Sequence, residues 1–239
     1  VKELSQQKAI VKSMPAVETL GAMTVICSDK TGTLTKNEMS VTDVVFPDTE
    51  TTALPEKQAQ LQTLMTNCQD LRTTTDQKAA NLKGNPTEMA ILRYVEAAAE
   101  PLLPKLAQIP FDSKHKYMAT LHEVAGQLTL FVKGAPEVLL AKANLSPATQ
   151  ALWRQAISQQ AQKGQRVLAF ATTRVSQPTI RHEDVTELEM VGLVGIIDPP
   201  KESAIAAIKN CHQAGIAVKM ITGDHRETAR AIGKQIGLK

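Results

Sequence analysis

The sequence predicts an α/β protein in which a parallel, Rossmann-type sheet receives an inserted α+β module with an antiparallel sheet. Two short apolar segments, 25–27 and 217–221, each run directly into a polar turn, as strands of a parallel sheet do. Amphipathic helix patterns accompany both segments. Between them, residues 116–133 alternate between apolar and polar side chains, which indicates an antiparallel hairpin.

The N-terminal part predicts a helix followed by a buried strand. Residues 3–20 have helical spacing, and we expect Pro15 to divide that helix and Gly21 to end it. The apolar run 25–27 predicts a strand that is buried on both faces, with its cysteine pointing into the sheet. Residues 42–56 are rich in Thr, Asp and Pro and indicate a loop or an edge strand.

The middle of the chain predicts helices that alternate with antiparallel strands. Ala125-Gly126 forms the turn of a hairpin in which Tyr117, Ala119 and Leu121 share one face. Trp153 lies four residues before Ile157, which indicates the buried stripe of a helix. The predicted helices cover 57–68, a segment that starts near Pro86, a segment from Pro136 through Ala143 and about 147–163, and the predicted strands cover 116–124, 127–133, 166–173 and 189–197.

The C-terminal part returns to the parallel pattern. Asp198-Pro199-Pro200 is a stiff break, after which a helix over 203–213 and a strand over 217–221 are predicted. Asp224 and Glu227 have the three-residue spacing of a capping box, so we expect Asp224 to begin the last helix.

This change of pattern divides the chain into two expected domains. Residues 1–38 and 199–239 would form one discontinuous and incomplete domain around the parallel sheet. Residues 39–198 would form the inserted domain. Two short segments, Lys36-Asn37 and Asp198-Pro199-Pro200, would connect the two domains as a hinge.

Composition restricts the class of function. The formal net charge is only +3 and aromatic residues make up 3% of the chain, so nucleic acid is not an expected partner. Three widely spaced cysteines without a C-x-x-C motif argue against a disulfide framework or a zinc site. The longest apolar run is too short for a membrane span. Because the chain starts at Val1 rather than Met and stops at Lys239 just after a predicted helix, we expect a piece of a longer protein. This piece is also expected to be soluble and monomeric.

The chemistry is expected at the end of the first strand. Asp29 follows the apolar run directly, with Lys30, Thr31 and Gly32 next in the chain. A carboxylate at the carboxyl end of such a strand lies where open α/β sheets bind ligands. A hydroxyl, a lysine and loop amides are suited to phosphate, so Asp29 is predicted to be a nucleophile that accepts a phosphoryl group.

Thr222-Gly223-Asp224 ends the second parallel strand and should face the same crevice. By itself this tripeptide is more typical of a helix cap. Together with the loop at Asp29, its hydroxyl and its amide at a helix N-terminus favour phosphate binding.

Several motifs resemble those of the P-type cation-transporting ATPases, in the branch of the calcium and sodium/potassium pumps. The sequence D-K-T-G-T-L-T at 29–35 is similar to the phosphorylation motif of that family in all seven positions. K-G-A-P-E at 133–137, D-P-P at 198–200 and M-I-T-G-D at 220–224 follow in the family's order. The resemblance extends over essentially the whole chain and is weakest over 44–82. It also implies a partial haloacid-dehalogenase-like parallel sheet.

The resemblance implies roles for the residues around Asp29. Asp29 would form the aspartyl-phosphate, and its carboxylate would ligate Mg²⁺ together with the main chain of Thr31. Lys30 belongs to the same catalytic loop. The transferring phosphate would be held by Thr222 and Gly223, with Asp224 close by.

The resemblance also implies an ATP site in the inserted domain. Glu88 would contact adenine, Phe111 would stack on it, and Arg166 would contact the phosphates. The other expected members of this site are Lys116, Lys133, Gly134 and Asp198. Gly134 is interpreted as leaving room for close approach of the ligand.

Each of these residues also has an ordinary structural interpretation. Phe111 could belong to a core and Lys133 could be solvated. Glu88 could simply favour a helix dipole, and Arg166 could complement a helix end. His122, His182, His212 and His225 show no metal-ligand spacing, and His115 is at best part of the pocket rim.

Three functions follow from these patterns. The first is the ATP-binding and phosphorylation part of a cation pump at the cytoplasmic face of a membrane, with the transported ion not readable from this chain. The second is a module that binds ATP or ADP without chemistry, since the family's later G-D-G-x-N-D segment has no counterpart here. The third is a haloacid-dehalogenase-type phosphatase, which Thr31 disfavours because such enzymes place an acid at that position. Ser113 replaces an arginine found in some calcium pumps, which leaves one nucleotide contact in doubt.

Overall fold

The computed structural model of the chain describes residues 6, 15, 19, 21–50, 52–70, 85–96, 101–223 and 226–238. The predicted helix over 3–20 therefore lies almost entirely outside the described residues, as does the predicted cap at Asp224. Among the residues that are described, no helix is both long and apolar enough to cross a membrane.

Eight strands and six α-helices are described. The strands are β1 (Val25–Asp29), β2 (Ser40–Val45), β3 (Ala107–Ile109), β4 (Tyr117–Val124), β5 (Gln127–Gly134), β6 (Arg166–Arg174), β7 (Glu189–Ile197) and β8 (Ala217–Ile221). The helices are α1 (Leu54–Asn67), α2 (Pro86–Val95), α3 (Pro136–Ala141), α4 (Pro147–Gln162), α5 (Glu202–Gln213) and α6 (Arg226–Gln235), and a 3₁₀ helix covers His182–Asp184.

The strands form two separate sheets. β1 and β8 pair in parallel, with Val25 opposite Ala217 and Asp29 opposite Ile221. The other six strands form an antiparallel sheet in the order β2-β7-β6-β5-β4-β3. The chain is thus an α/β protein with a small parallel sheet and a larger antiparallel one.

The predicted hairpin is confirmed as β4 and β5. Val124 pairs with Gln127, so Ala125 and Gly126 are the two central residues of the turn. Both have positive φ angles, 49° and 75°, as in a type I′ turn whose twist matches that of the strands. The predicted edge strand is confirmed in part, because β2 lies at one edge of this sheet.

The antiparallel sheet buries apolar side chains on both faces, because successive residues of a strand point to opposite sides. On one face, Tyr117, Ala119 and Leu121 pack in a cluster with Trp153 of α4, as the sequence predicted. On the other face, α1 and α2 pack against the sheet. That second cluster includes Leu61, Leu64, Ile91, Met118, Phe131 and Phe170.

The prediction that the first strand is buried on both faces is wrong. Val25 is 48% exposed, and Cys27 is exposed rather than directed into a sheet. In the described part of the chain, β1 has β8 as its single strand partner, so fewer neighbours cover it. The smaller core beside this sheet includes Leu34, Ile208, Val218, Ile232 and Ile236.

Candidate functional site

The parallel pairing brings two of the predicted catalytic segments together. Asp29 ends β1 opposite Ile221, so Thr222 and Gly223 follow directly at the end of the neighbouring strand. Asp29 is exposed at this edge. The carboxylate and the Thr222-Gly223 turn therefore open toward the same side of the sheet, as the sequence predicted.

The loop after Asp29 is a tight turn. Gly32 has a φ of 77°, a conformation that strongly favours glycine. The amide of Thr35 donates to the carbonyl oxygen of Lys30 at 3.0 Å and closes the turn. Lys30 is buried, whereas Thr31 is exposed. The loop thus places the side chain of Thr31 in solvent beside Asp29.

Asp198, the residue that follows β7, contacts the end of this loop. The buried hydroxyl of Thr35 donates to Asp198 Oδ2 at 2.6 Å. The amide of Glu38 donates to Asp198 Oδ1 at 3.1 Å. Lys201 Nζ also donates to the carbonyl oxygen of Gly32 at 2.6 Å. Both carboxylate oxygens of Asp198 therefore accept hydrogen bonds from the segment between β1 and β2. They tie that segment to the one between β7 and α5, so the two connections between the sheets are held together.

A second group of predicted residues surrounds one cavity of about 550 Å³ next to the antiparallel sheet. Six of the seven residues expected to bind nucleotide contribute to its wall, and Asp198 is the exception. This volume is within the usual range for small-molecule sites. The cavity is lined by Asp70, Asn85, Thr87, Glu88, Phe111, Lys116, Met118, Lys133, Gly134, Ala135, Arg166, Val167 and Leu168.

An ion pair lies in the wall of this cavity. Lys133 Nζ is 3.0 Å from Glu88 Oε1, and the two side chains are 7% and 10% exposed. The amide of Asp70 donates to the same Glu88 oxygen at 3.2 Å. Glu88 stands in the first turn of α2, which Asn85 begins by accepting a hydrogen bond from the amide of Thr87. The capped N-terminus of α2 therefore holds the carboxylate of Glu88 next to Lys133 on β5.

Phe111 lies at the mouth of the cavity and is 56% exposed. This exposure excludes the alternative in which Phe111 belongs to an ordinary core. An exposed phenyl ring beside a cavity is suited to stacking on a flat ligand. Lys116 also lines the cavity, and its backbone has a positive φ of 58°. Its Nζ lies 3.9 Å from Glu137 Oε1, and both side chains are exposed.

The interpretation of Gly134 needs a correction. A Cβ atom at this position would lie 2.5 Å from the Cβ of Tyr117 and 2.7 Å from the carbonyl oxygen of Lys116. Glycine is therefore required because the backbone of β5 lies very close to Lys116 and Tyr117 at the start of the paired strand β4. Its small size does not by itself indicate a ligand.

Arg166 lies between two cavities. Its Nη1 donates to Thr87 Oγ1 at 3.0 Å, and it lines the cavity that contains Phe111. It also lines a second cavity of about 400 Å³, together with Lys30, Asp198 and residues of α6. Because the guanidinium of Arg166 donates to Thr87 in the pocket wall, Arg166 does more than complement the carbonyl end of α4. Arg166 thus lines both the cavity that contains Phe111 and the cavity that contains the buried Lys30.

The sequence did not identify Asp70, Asn85 and Thr87 as members of the pocket. Burial, and then the charge of Glu88, raise the pKa of Asp70 above its usual value. The cap formed by Asn85 and Thr87 could have been recognised from N-P-T-E at the start of α2. Asp70 gives no such signal, because only the folded chain brings it to Glu88.

The histidines divide into two groups. His122 is buried, with its ring nitrogens 2.9 Å from Thr120 Oγ1 and 3.0 Å from the carbonyl oxygen of Pro104. This structural role agrees with the sequence prediction. His115 and His182, however, are stacked with ring centroids 3.7 Å apart, which their separation in the chain did not indicate. The hydrogen bond from His115 lowers the pKa of Asp112 to about 2.

The comparisons with known proteins agree on one family. A family profile described as "P-type ATPase, cytoplasmic domain N" matches residues 57–203. That range contains Glu88, Phe111 and Arg166 but neither Asp29 nor Thr222.

Curated relatives extend the similarity to the rest of the chain. Calcium-transporting ATPase 1 of Lactococcus lactis is 38% identical over 99% of this chain, which covers 29% of that relative. Cation-transporting ATPase pma1 of Synechocystis sp. is 37% identical over 100% of this chain and 31% of its own length. A probable cation-transporting ATPase F of Mycobacterium bovis is 36% identical over 98% of this chain and 30% of its length. The chain thus spans less than a third of these relatives.

Proposed function

The chain belongs to the P-type ATPase family, whose cytoplasmic domain N its residues 57–203 match, and we propose that it is the ATP-binding and phosphorylation part of an ATP-driven cation pump. The cavity beside the antiparallel sheet is the main support for this proposal. An exposed aromatic ring, two lysines and an arginine in its wall are suited to the base and the phosphates of an adenine nucleotide.

In the proposed complex, adenine stacks on Phe111 and the polyphosphate extends toward Arg166. Glu88 presents a fixed carboxylate to the adenine end, because the main chain of Asp70 and the ammonium of Lys133 both hold it in place. Lys116 adds positive charge at the rim. Arg166 would then direct the terminal phosphates out of the pocket and toward the cavity that includes Lys30.

The proposed reaction is phosphoryl transfer to Asp29. A carboxylate oxygen of Asp29 forms a bond with the γ-phosphorus while the bond from that phosphorus to the β–γ bridging oxygen breaks, which releases ADP. The Thr222 hydroxyl and the Gly223 amide, which follow the strand paired with β1, would donate to the transferring oxygens. Lys30 contributes positive charge beneath the loop.

Mg²⁺ is the proposed cofactor of this reaction. An exposed carboxylate at Asp29 and a main-chain carbonyl at Thr31 are hard oxygen donors, which Mg²⁺ prefers. When bound there, the ion would neutralise phosphate charge. Asp224, the remaining predicted member of this group, lies outside the described residues.

The proposed domain organisation follows the two sheets. Residues 1–38 and 199–239 would form an incomplete phosphorylation domain with a haloacid-dehalogenase-like sheet, and residues 39–198 would form the nucleotide-binding domain. The link between Thr35 and Asp198 lies where the chain passes between them. Bending at this hinge would bring the γ-phosphate to Asp29.

In the full-length protein, formation and hydrolysis of the phosphoenzyme would drive cation transport. This part of the pump would lie at the cytoplasmic face of the membrane and would act as a monomer. The names of the relatives include calcium-transporting and cation-transporting ATPases. The transported cation would be bound by segments outside this chain.

The direct test of the pocket is the replacement of Phe111 by alanine. Because Phe111 is exposed, Phe111→Ala should leave folding intact while it weakens ATP binding by roughly 5- to 100-fold, in line with the usual contribution of base stacking. Leu152→Ala on α4 removes a comparably exposed side chain away from the cavity and is the matched control. Isothermal titration calorimetry that gave equal affinities for Phe111→Ala and the parent chain would overturn the pocket assignment.

The position of Asp29 is tested separately. Asp29→Asn should leave ATP affinity unchanged or increase it, because the substitution removes a negative charge near the γ-phosphate. In the full-length protein, γ-labelled ATP should give an acid-stable, hydroxylamine-sensitive label that Asp29→Asn lacks, whereas this chain by itself, with an incomplete phosphorylation domain, should bind ATP with little or no label. A large loss of affinity in Asp29→Asn would contradict the proposed position of this carboxylate.

A second candidate function is nucleotide binding without chemistry. It is favoured by the exposure of Asp29 and by the presence of only two parallel strands in the described part of the chain. ATP binding without any covalent label in the full-length protein would support this alternative. A haloacid-dehalogenase-type phosphatase is disfavoured, because the exposed Thr31 cannot act as the acid that such enzymes use.

A further inference from the structure

Three side chains with metal-binding groups meet beside the turn that follows Phe111. Asp112, His115 and His182 each offer one donor atom, and these atoms all lie within 4.8 Å of one another. All three residues are partly buried. His182 comes from a separate element, so this group is formed only by the tertiary structure.

The turn before β4 holds two of the three groups in place. Asp112 Oδ1 accepts hydrogen bonds from the amides of Lys114 and His115 at 2.7 and 2.8 Å. Its other oxygen, Oδ2, lies 2.6 Å from His115 Nδ1. One carboxylate oxygen is thus used to shape the turn, and the other faces the imidazole.

The third group is positioned by a buried tyrosine. The hydroxyl of Tyr117 lies 2.7 Å from His182 Nδ1, and His182 stacks on His115 with an interplanar angle of 18°. When His182 Nδ1–H donates to the tyrosine oxygen, Nε2 carries the lone pair that a metal requires. This is the usual way in which a hydrogen-bond partner fixes the tautomer of a ligating histidine.

We propose that Asp112, His115 and His182 bind a transition-metal dication such as Zn²⁺, with water in the remaining coordination position. Two imidazole nitrogens and one carboxylate oxygen match the donors of three-residue zinc sites. Donor atoms around tetrahedral Zn²⁺ lie about 3.4 Å apart, given metal–ligand distances near 2.1 Å. Side-chain shifts of about 1 Å would bring the more distant donors together, open the contact between Asp112 Oδ2 and His115 Nδ1, whose shared proton the metal would replace, and tilt the stacked rings apart.

The donor set separates this site from the proposed magnesium site at Asp29. Mg²⁺ and Ca²⁺ prefer sites made entirely of oxygen donors, whereas imidazole favours zinc, nickel and copper. The cluster follows Phe111 directly in the chain and lies on the other sheet from Asp29. A metal here would therefore hold the Phe111 loop against the 3₁₀ helix and would take no part in phosphoryl transfer.

The site is tested by calorimetric titration of the chain with Zn²⁺, and by the visible absorption of Co²⁺ in the same site. A Cys27→Ser/Cys211→Ser background removes the two thiols that are not buried. One ion should bind per chain, and His115→Gln and His182→Gln should each weaken binding at least ten-fold. Asp112→Asn keeps the oxygen that accepts both turn amides, so it tests the carboxylate charge with the turn preserved.

Two further variants separate ligation from non-specific binding. Tyr117→Phe removes only the hydroxyl behind His182 and should weaken Zn²⁺ binding roughly ten-fold, as is usual for outer partners of a ligand. His212→Gln, in the last turn of α5, should have no effect. Equal zinc affinity in the parent, His115→Gln and His182→Gln would overturn the site, as would loss of binding in His212→Gln. Binding of Mg²⁺ with the affinity of Zn²⁺ would also contradict it.

One consequence rests on the proposed nucleotide pocket. Because the metal would order the loop that carries Phe111, Zn²⁺ should increase the affinity for adenosine, which lacks phosphates that chelate the ion. Absence of adenosine binding with or without Zn²⁺ would count against the nucleotide pocket but not against the metal site. Adenosine binding that Zn²⁺ leaves unchanged would exclude only this coupling.

Discussion

The two sheets of this protein differ in how completely they are covered. The antiparallel sheet has apolar clusters on both faces, and residues such as Leu121, Phe170 and Ile196 are fully buried. The parallel pair has a smaller core, and Ile221 is 59% exposed. The proposed nucleotide pocket therefore rests on a well-packed scaffold. The proposed nucleophile Asp29 lies on the less well covered parallel sheet. The loop that follows Asp29 is held by its hydrogen bonds to Asp198.

This difference indicates what each region contributes. A pocket that must bind a flexible nucleotide in one pose benefits from rigid walls with a buried ion pair. In the proposed function, the carboxylate of Asp29 meets a phosphate that the other domain delivers, which needs exposure and a hinge. The following experiments test the contrast, beginning with the largest expected effect.

Loss of the buried lysine should be the most damaging change. Lys133→Met leaves the carboxylate of Glu88 buried without its cation and should lower the free energy of unfolding by about 3–5 kcal/mol. Lys201→Met removes a half-buried lysine that hydrogen-bonds the carbonyl oxygen of Gly32 but pairs with no buried charge, and it should cost about 1 kcal/mol. Urea denaturation of both variants measures the difference. The double variant Glu88→Gln/Lys133→Met should recover most of the loss, and a failure to recover it would show that the charge imbalance is not the cause.

A pair of isoleucines compares a strand position in each of the two sheets. Ile196 in β7 is fully buried, so Ile196→Ala should destabilise the protein by about 2–5 kcal/mol. Ile221→Ala makes the same change at an exposed strand position of β8 and should cost less than about 1 kcal/mol. Both values come from denaturant titration. Similar costs at the two positions would mean that the parallel sheet is as well packed as the antiparallel one.

The junction between the sheets should respond to the loss of one hydroxyl. Thr35→Val leaves Asp198 Oδ2 without its short hydrogen bond and should cost about 1–3 kcal/mol. Hydrogen exchange should show the loss first in β1 and the loop after it, with little change in β4 and β5. Thr33→Val, at an exposed position of the same loop, is the control. Equal exchange in the two variants would remove the proposed role of Thr35 at the hinge.

The smallest expected effect is a dependence of stability on pH. Burial lowers the pKa of His122, so the unfolded chain takes up a proton at a higher pH than the folded chain does. The contribution of this residue is therefore complete above the unfolded pKa of about 6.5 and is lost as the pH falls below it. Denaturant titrations at about pH 7.5 and about pH 5.5 measure the slope. His122→Gln should decrease that slope, and an unchanged slope would assign the dependence to other groups.

The sequence predicted the local elements well because their signals are local. The hairpin is encoded by alternation on both sides of Ala125-Gly126, and β8 by a short apolar run before Thr222. The pocket residues Glu88, Phe111, Lys133 and Arg166 were predicted through the family resemblance, and the structure places them around one cavity. Their roles in binding nucleotide remain predictions.

The errors concern packing. The sequence described 25–27 as a buried strand because apolar composition does not show how many strands cover it. The sequence also suggested that Gly134 leaves room for a ligand, whereas the place of its missing Cβ is next to Tyr117 of the neighbouring strand. Asp198, which the resemblance grouped with the nucleotide residues, does not line the cavity that contains Phe111, and its two oxygens accept hydrogen bonds from Thr35 and Glu38. Its role in nucleotide binding stays a prediction.

The sequence alone thus determined the family and the α/β class, because these depend on contiguous motifs and local periodicity, and from the same motifs it predicts Asp29 as the nucleophile. Only the tertiary structure decided which distant residues meet. The pairing of Glu88 with Lys133, the contacts of Asp198 with the Asp29 loop and the cluster of His182 with Asp112 and His115 all join separate elements. Such contacts follow from strand order and helix packing, which no local pattern of residues encodes.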